Sequence, residues 1–248
     1  MEFNNARIME IVRNQLALDY NCKAEDFLSN GVFFYESVLN EGRRMLERQS
    51  PYIEIATMGK GIVVSADADD LERVKPILEN KFRDDLFFAP FLFGHSLYYV
   101  PECNSIRRLP CPSGFTTRVA EGSEIYGLYN YSGFINALQY DEKSAHPDYL
   151  ALYAVKNDEI AGIACASIDS GTMWQIGIDV LPRHRNAGLA VYLVSNLALM
   201  VMERGILPYY GTASSNIASQ KVAYRSGFNI AWMCNYKNTL DCKSPFLV

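Results

Sequence analysis

Residues 174–190 read WQIGIDVLPRHRNAGLA, and their order decides the fold. The apolar run ending at Val180 reads as a strand. Pro182 turns the chain, and Arg185-Asn186-Ala187-Gly188-Leu189-Ala190 opens a helix. Strand, glycine-bearing turn and helix start are the parts of an anion cradle. Successive backbone N–H groups at such a turn form a nest. The helix N-terminus adds unpaired donors and a positive dipole end. Gly188 lets the backbone approach a ligand with no Cβ in the way.

Working outward, the helix is expected over 188–204. Leu189, Leu193, Leu197, Met200 and Val201 share a face, and Gly205 is its stop. A strand is expected over 209–213. Asn216 caps the next helix, Gly227 ends it, and 230–236 is a last strand. Upstream, strands are expected over 115–119, 150–155, 160–168 and 173–180, with Lys156-Asn157-Asp158 as a turn. Helical stretches are expected within 123–139.

The pattern Arg185-x-x-Gly188-x-Ala190 resembles the pyrophosphate loop of the GNAT superfamily of N-acetyltransferases, which bind acetyl-CoA. The second block, Asn216-Ile217-Ala218-Ser219 followed by Tyr224-Arg225-Ser226-Gly227-Phe228, resembles that family's Asn-headed helix with a Tyr and a Gly-Phe end. The resemblance begins after about residue 114 and covers half the chain. It implies a mixed, mostly antiparallel sheet flanked by helices over 114–248, behind a smaller α+β domain over 1–113 whose role is unrecognised. The fold class expected is thus α/β (α+β).

The resemblance also implies site residues. Main-chain groups of Ile178 and Val180 would bind pantetheine where this strand splays from its neighbour. Amides of Arg185, Asn186, Ala187, Gly188, Leu189 and Ala190 would bind the pyrophosphate. Arg183 and His184 either add charge near the phosphates or are solvated loop residues. Asn216 and Ser219 would contact the cofactor, although Asn216 is equally a plain N-cap and Ser219 a first-turn residue. Tyr224 would be the acid. A Tyr with a pKa near ~10 is protonated at neutral pH and can donate to a departing sulfur. The competing reading of Tyr224 is a helix side chain packing on the sheet. Relatives often carry a Glu base on the strand before the loop. This strand offers Gln175, which is no base, and Asp179, which acts directly, acts through water, or simply bonds a turn.

The N-terminal half offers an apolar helical stripe at Ile8, Ile11, Val12 and Leu16. A second helix is expected over 35–49. Strands at 52–57 and 61–65 flank the turn Met58-Gly59-Lys60. Gly59-x-Gly61 is read as that hairpin and not as a nucleotide loop. Asp67 caps a helix over 68–82. The aromatic run 86–94 is expected to be an interdomain core. A boundary is expected over 101–114, with three prolines.

Composition limits the rest. Half the residues are hydrophobic, 49%, enough for a packed core. A net charge of -5 argues against a nucleic-acid face and favours a cationic amine. No apolar run reaches the ~18 residues of a membrane span. The six cysteines, at 22, 103, 111, 165, 234 and 242, form no C-x-x-C and have no zinc-finger spacing to His. No metal is expected, and the thiols are expected to be reduced in a cytoplasmic protein. The activity expected is transfer of acetyl from acetyl-CoA to a primary amine of a small molecule. A protein N-acetyltransferase and a non-catalytic CoA-binding module are the alternatives. The partners expected are acetyl-CoA, an amine acceptor and, as one option, a second copy of the chain.

Overall fold

A computed structural model describes residues 3–45 and 51–238. The elements in chain order are α1 (Asn5–Tyr20), β1 (Val32–Glu36), β2 (Ile53–Thr57), β3 (Ile62–Ala66), α2 (Ala68–Leu78), α3 (Arg83–Phe87) and β4 (Leu92–Pro101). Then come β5 (Thr116–Glu121), β6 (Asp148–Lys156), β7 (Glu159–Ile168), β8 (Met173–Val180), α4 (Leu189–Glu203), β9 (Leu207–Ala213), α5 (Ile217–Arg225) and β10 (Phe228–Asn238). Among the described residues no helix is long and apolar enough to cross a membrane.

The chain divides into two compact units. One is Met1–Ile8, Tyr99–Thr212 and Asn216–Asn229; the other is Met9–Tyr98, Ala213–Ser215 and Ile230–Val248. Residues 99–113 therefore group with the C-terminal segment, and residues 230–238 group with the N-terminal one.

In the first unit the strands run β9-β8-β7-β6-β5. β9 and β8 are parallel; the other pairs are antiparallel. β7 is buried from Ile160 to Ser167, which explains its unbroken small and apolar run, EIAGIACASI. The tight turn before it places Asn157 and Asp158 at φ 50° and 59°, a conformation these residues tolerate. One core cluster joins Ile163, Cys165 and Ala151 to Ile125, Leu128 and Phe134 of the 122–138 segment. That segment is a 3-10 helix, Gly122–Asn130, then a turn, where the sequence suggests longer helix. α4 packs on β6, β7 and β8 and buries Leu193 and Leu197 completely. Each such side chain contributes roughly 1.5–3 kcal/mol. Its buried polar residues serve the incoming chain: Ser195 Oγ donates to Arg107 O at 2.7 Å, and Asn196 Nδ2 to Leu109 O at 3.2 Å.

In the second unit β1 pairs parallel with β3, β3 antiparallel with β2, and β2 antiparallel with β10. The expected hairpin around Met58-Gly59-Lys60 is present. Two expectations are corrected. The segment 35–49 is not a helix where it is described: Val32-Phe33-Phe34-Tyr35-Glu36 is a strand, as its β-branched and aromatic residues favour. Residues 46–50 lie outside the described residues. The aromatic run is no interdomain core. Leu86, Phe87, Ala89 and Leu92 belong to this unit's own core with Ile53, Val64, Val74 and Leu78, while Phe88 is exposed. Asp67 stands at the N-cap of α2, but its carboxylate accepts from the Tyr52 N–H at 3.0 Å and not from the helix. Cys22, Cys103, Cys111, Cys165 and Cys234 are free thiols. Cys242 lies outside the described residues.

Candidate active site

β8 pairs with β7 from Trp174 to Val180. On its other side it pairs with β9 only over Met173, Gln175 and the residue between them, against Leu207–Tyr209. The two parallel strands then part. Among the described residues the edge of β8 from Ile176 to Val180 faces no strand on that side, and it holds Ile178 and Val180. One of its carbonyls is taken within the chain: Arg185 Nε donates to Val180 O at 3.1 Å.

Below that edge the chain makes a short 3-10 turn, Pro182–His184, then enters α4. Asn186 and Gly188 both take positive φ, 65° and 76°. Gly188 is the N-cap of α4. A Cβ built on it meets nothing within 4 Å, so open space lies above the glycine. The first helical bond runs from Tyr192 N–H to Gly188 O. The N–H groups of Leu189, Ala190 and Val191 thus lack intrahelical partners. Arg183 and His184 are turned to Glu159. Arg183 Nε donates to its carboxylate at 2.8 Å, and His184 Nε2 lies 3.4 Å from it. Burial, then the charges of Arg183 and Lys156, pull the His184 pKa down.

Asn216 caps α5, its side chain accepting from Ser219 N–H at 3.1 Å. Ser219 Oγ is 2.6 Å from the Tyr210 hydroxyl on β9. Burial raises the Tyr210 pKa; Ser219 lowers it, and the Asp179 carboxylate raises it slightly. Tyr224, on α5, is 48% exposed. Its ring meets Tyr99 edge-on, with centroids 5.3 Å apart at 88°.

Asp179 has a definite task in this structure. Oδ2 accepts from the N–H groups of Asn136 (2.7 Å) and Ala137 (3.2 Å), and Oδ1 from Asn136 Nδ2 (2.8 Å). The carboxylate pins the turn 134–138 to β8. Gly177 completes the clamp. A Cβ there would stand 1.9 Å from Asn136 O. Residues two apart share a face of the strand, so Gly177 and Asp179 receive one turn together.

A polar row unsuspected in the sequence crosses the sheet on that face. Asp148, Ser167, Gln175 and Tyr209 are register partners in sequence across β6, β7, β8 and β9. The Tyr209 hydroxyl bonds the buried Asp169 carboxylate and lies 3.3 Å from Gln175 Oε1. Ser167 Oγ donates to Asp169 at 3.0 Å. Asp148 accepts from Tyr129 (2.9 Å) and from Gln139 N–H (2.8 Å). Burial raises its pKa, which those two bonds partly oppose. Only strand register gathers these residues at the point where β8 and β9 part.

Among curated proteins, none matches the chain. A GNAT-family protein from Novosphingobium aromaticivorans is 16% identical, with a TM-score of 0.42; the match covers 58% of this chain and 63% of that one. The chain thus spans less than two thirds of that protein. An acetyltransferase from the GNAT family of Colwellia psychrerythraea is 11% identical, with a TM-score of 0.47, covering 94% and 71%. A GCN5-related N-acetyltransferase-like protein from Streptococcus suis is 13% identical, with a TM-score of 0.44, covering 72% of each. The family model for Acetyltransferase (GNAT) matches residues 117–228, the span from β5 to the start of β10 that holds the parted strands, the Gly188 turn and Tyr224. Those residues are a domain of the GNAT acetyltransferase family.

Proposed function

We propose that this protein transfers acetyl from acetyl-CoA to a primary amine of a small molecule. The observation that carries the reading is the parting of β8 from β9 beyond Gln175 and Tyr209, on the strand whose end leads into the Gly188 turn. From Gln175 to Val180 a strand rises about 16 Å, a run suited to an extended pantetheine arm. The edge at Ile178 and Val180, where Val180 O also accepts from Arg185 Nε, supplies main-chain partners for it. The amides from Arg185 to Ala190, with the unpaired N–H groups at the start of α4, suit the pyrophosphate. Asn216 and Ser219 flank the arm from α5, in addition to capping that helix.

Acetyl-CoA supplies the activated acyl group; the chain supplies position, and position accounts for much of the rate of such a transfer. Tyr224, exposed on α5, is the group we assign to protonate the leaving sulfur. Asp148, Asp169 and Asp179 gather negative charge around the Gln175 face of the sheet, which suits a cationic amine. Asp179 remains our candidate to take the amine's proton through water: the three donors of the 134–138 turn fill three of the about four lone-pair sites of its carboxylate. That same commitment is the one observation favouring a CoA-binding module without acceptor chemistry. A screen of small amines for CoA release separates the two. Turnover with at least one amine supports the transferase; acetyl-CoA binding with no amine accepted supports the module.

A further inference from the structure

Tyr99 is fully buried, at 0% exposure, and its hydroxyl has no hydrogen-bond partner among the described residues. A buried hydroxyl without a partner is costly, and a Phe of the same shape would avoid the cost. The ring contacts two phenols, Tyr224 at 5.3 Å and Tyr210 at 6.5 Å between centroids. Tyr210 is committed to Ser219. Tyr224 is the neighbour whose oxygen changes charge if it acts as an acid.

We infer that Tyr99 is a positioning residue for Tyr224, donating a hydrogen bond to the Tyr224 oxygen once that oxygen has given up its proton. The inference rests on the acid role proposed above. As the amine nitrogen bonds the acyl carbon, the carbon–sulfur bond breaks and its electron pair stays on sulfur. Sulfur takes the Tyr224 proton, leaving a phenolate; the nitrogen sheds its own proton to water, and water returns one to Tyr224 as CoA departs. Tyr99 keeps its own proton throughout. Burial, and next the nearby Tyr224, push its pKa up to about 12, and a Tyr224 phenolate, having no proton, can only accept. A donor facing an anionic acceptor makes a stronger bond than one facing a neutral phenol. In the resting protein the two hydroxyls interact without satisfying hydrogen-bond geometry. An interaction made only as charge develops lowers the barrier and leaves ground-state binding unchanged.

The test is Tyr99→Phe, assayed with an amine from the screen. Urea unfolding is expected to give unchanged or higher stability, because an unpartnered hydroxyl leaves the core. kcat is expected to fall about tenfold, with KM for acetyl-CoA unchanged. In a Tyr224→Phe background, Tyr99→Phe is expected to change nothing further. A readout independent of turnover is tyrosinate absorbance. The Tyr224 contribution is taken as the difference between each protein and its Tyr224→Phe counterpart. Its midpoint is expected to rise by about one pH unit when Tyr99 becomes Phe. A slow Tyr224→Phe beside a Tyr99→Phe with wild-type kcat, or an unmoved Tyr224 midpoint, overturns the inference and leaves the acid role standing. A Tyr224→Phe protein with wild-type turnover overturns the acid role, and this inference with it.

Discussion

Two glycines illustrate what a single position contributes. Gly177 has no side chain because Asn136 O and the Ala137 backbone occupy the space a Cβ would fill. Those atoms are main chain and cannot swing aside, so Gly177→Ala must displace the 134–138 turn or strain the strand. We expect a loss of about 1–3 kcal/mol, measured as a lower urea midpoint at unchanged m-value. An unaltered midpoint would mean the turn does not sit on the strand in solution. Gly188 differs in kind: its Cβ site is open, and its φ of 76° is what demands glycine. A turn of that type is a local property, so Gly188 is readable in the sequence. Gly177 is not, because its partner lies forty residues earlier in the chain. At Tyr224 the expected change is chemical. Tyr224→Phe keeps the ring on Tyr99, so the fold should hold while kcat falls, on the order of 10²-fold, with KM for acetyl-CoA little changed. Steady-state kinetics decide it, provided a burst experiment shows that chemistry limits the rate.

At the scale of elements, local pattern and register divide the work. β8, α4 and α5 follow from local signals: an apolar run, a glycine at the start of α4, and an Asn that bonds the Ser219 N–H at 3.1 Å. The segment Val32–Glu36 draws on both: its β-branched and aromatic residues favour a strand, and pairing with β3 places it in the sheet. The parting of β8 from β9 is likewise a property of two strands together. It yields an element-scale prediction for hydrogen exchange. Adding acetyl-CoA should slow the amides of the β8 edge beyond Ile176 and those of Asn186 to Val191, because these are the groups left without strand or helix partners. β7, already paired on both sides, should be unaffected. Protection confined to some other region would remove the parted strands from the binding site.

For the molecule as a whole, a ligand selective for the folded state raises its stability. Saturating acetyl-CoA, at about 100-fold its Kd, should raise the melting temperature by roughly 5–10 °C. Gly188→Glu should abolish the rise, since it places bulk and negative charge where the phosphates would lie. A wild-type protein whose melting is indifferent to millimolar acetyl-CoA would end the proposal. By itself the sequence determined the features that depend on near neighbours. These are the strand–turn–helix at 174–190, the Asn216 cap, the order of strands and helices from residue 115 onward, and the resemblance those blocks carry. Tertiary structure alone decided which residues converge. It assigned 99–113 to the C-terminal segment, spent Asp179 on the 134–138 turn, and lined up Asp148, Ser167, Gln175 and Tyr209 across four strands. It also set the unpartnered Tyr99 hydroxyl beside Tyr224. The physical reason is range. Backbone conformation and capping are settled within a few residues, whereas register, close approach and desolvation depend on atoms that only folding brings together.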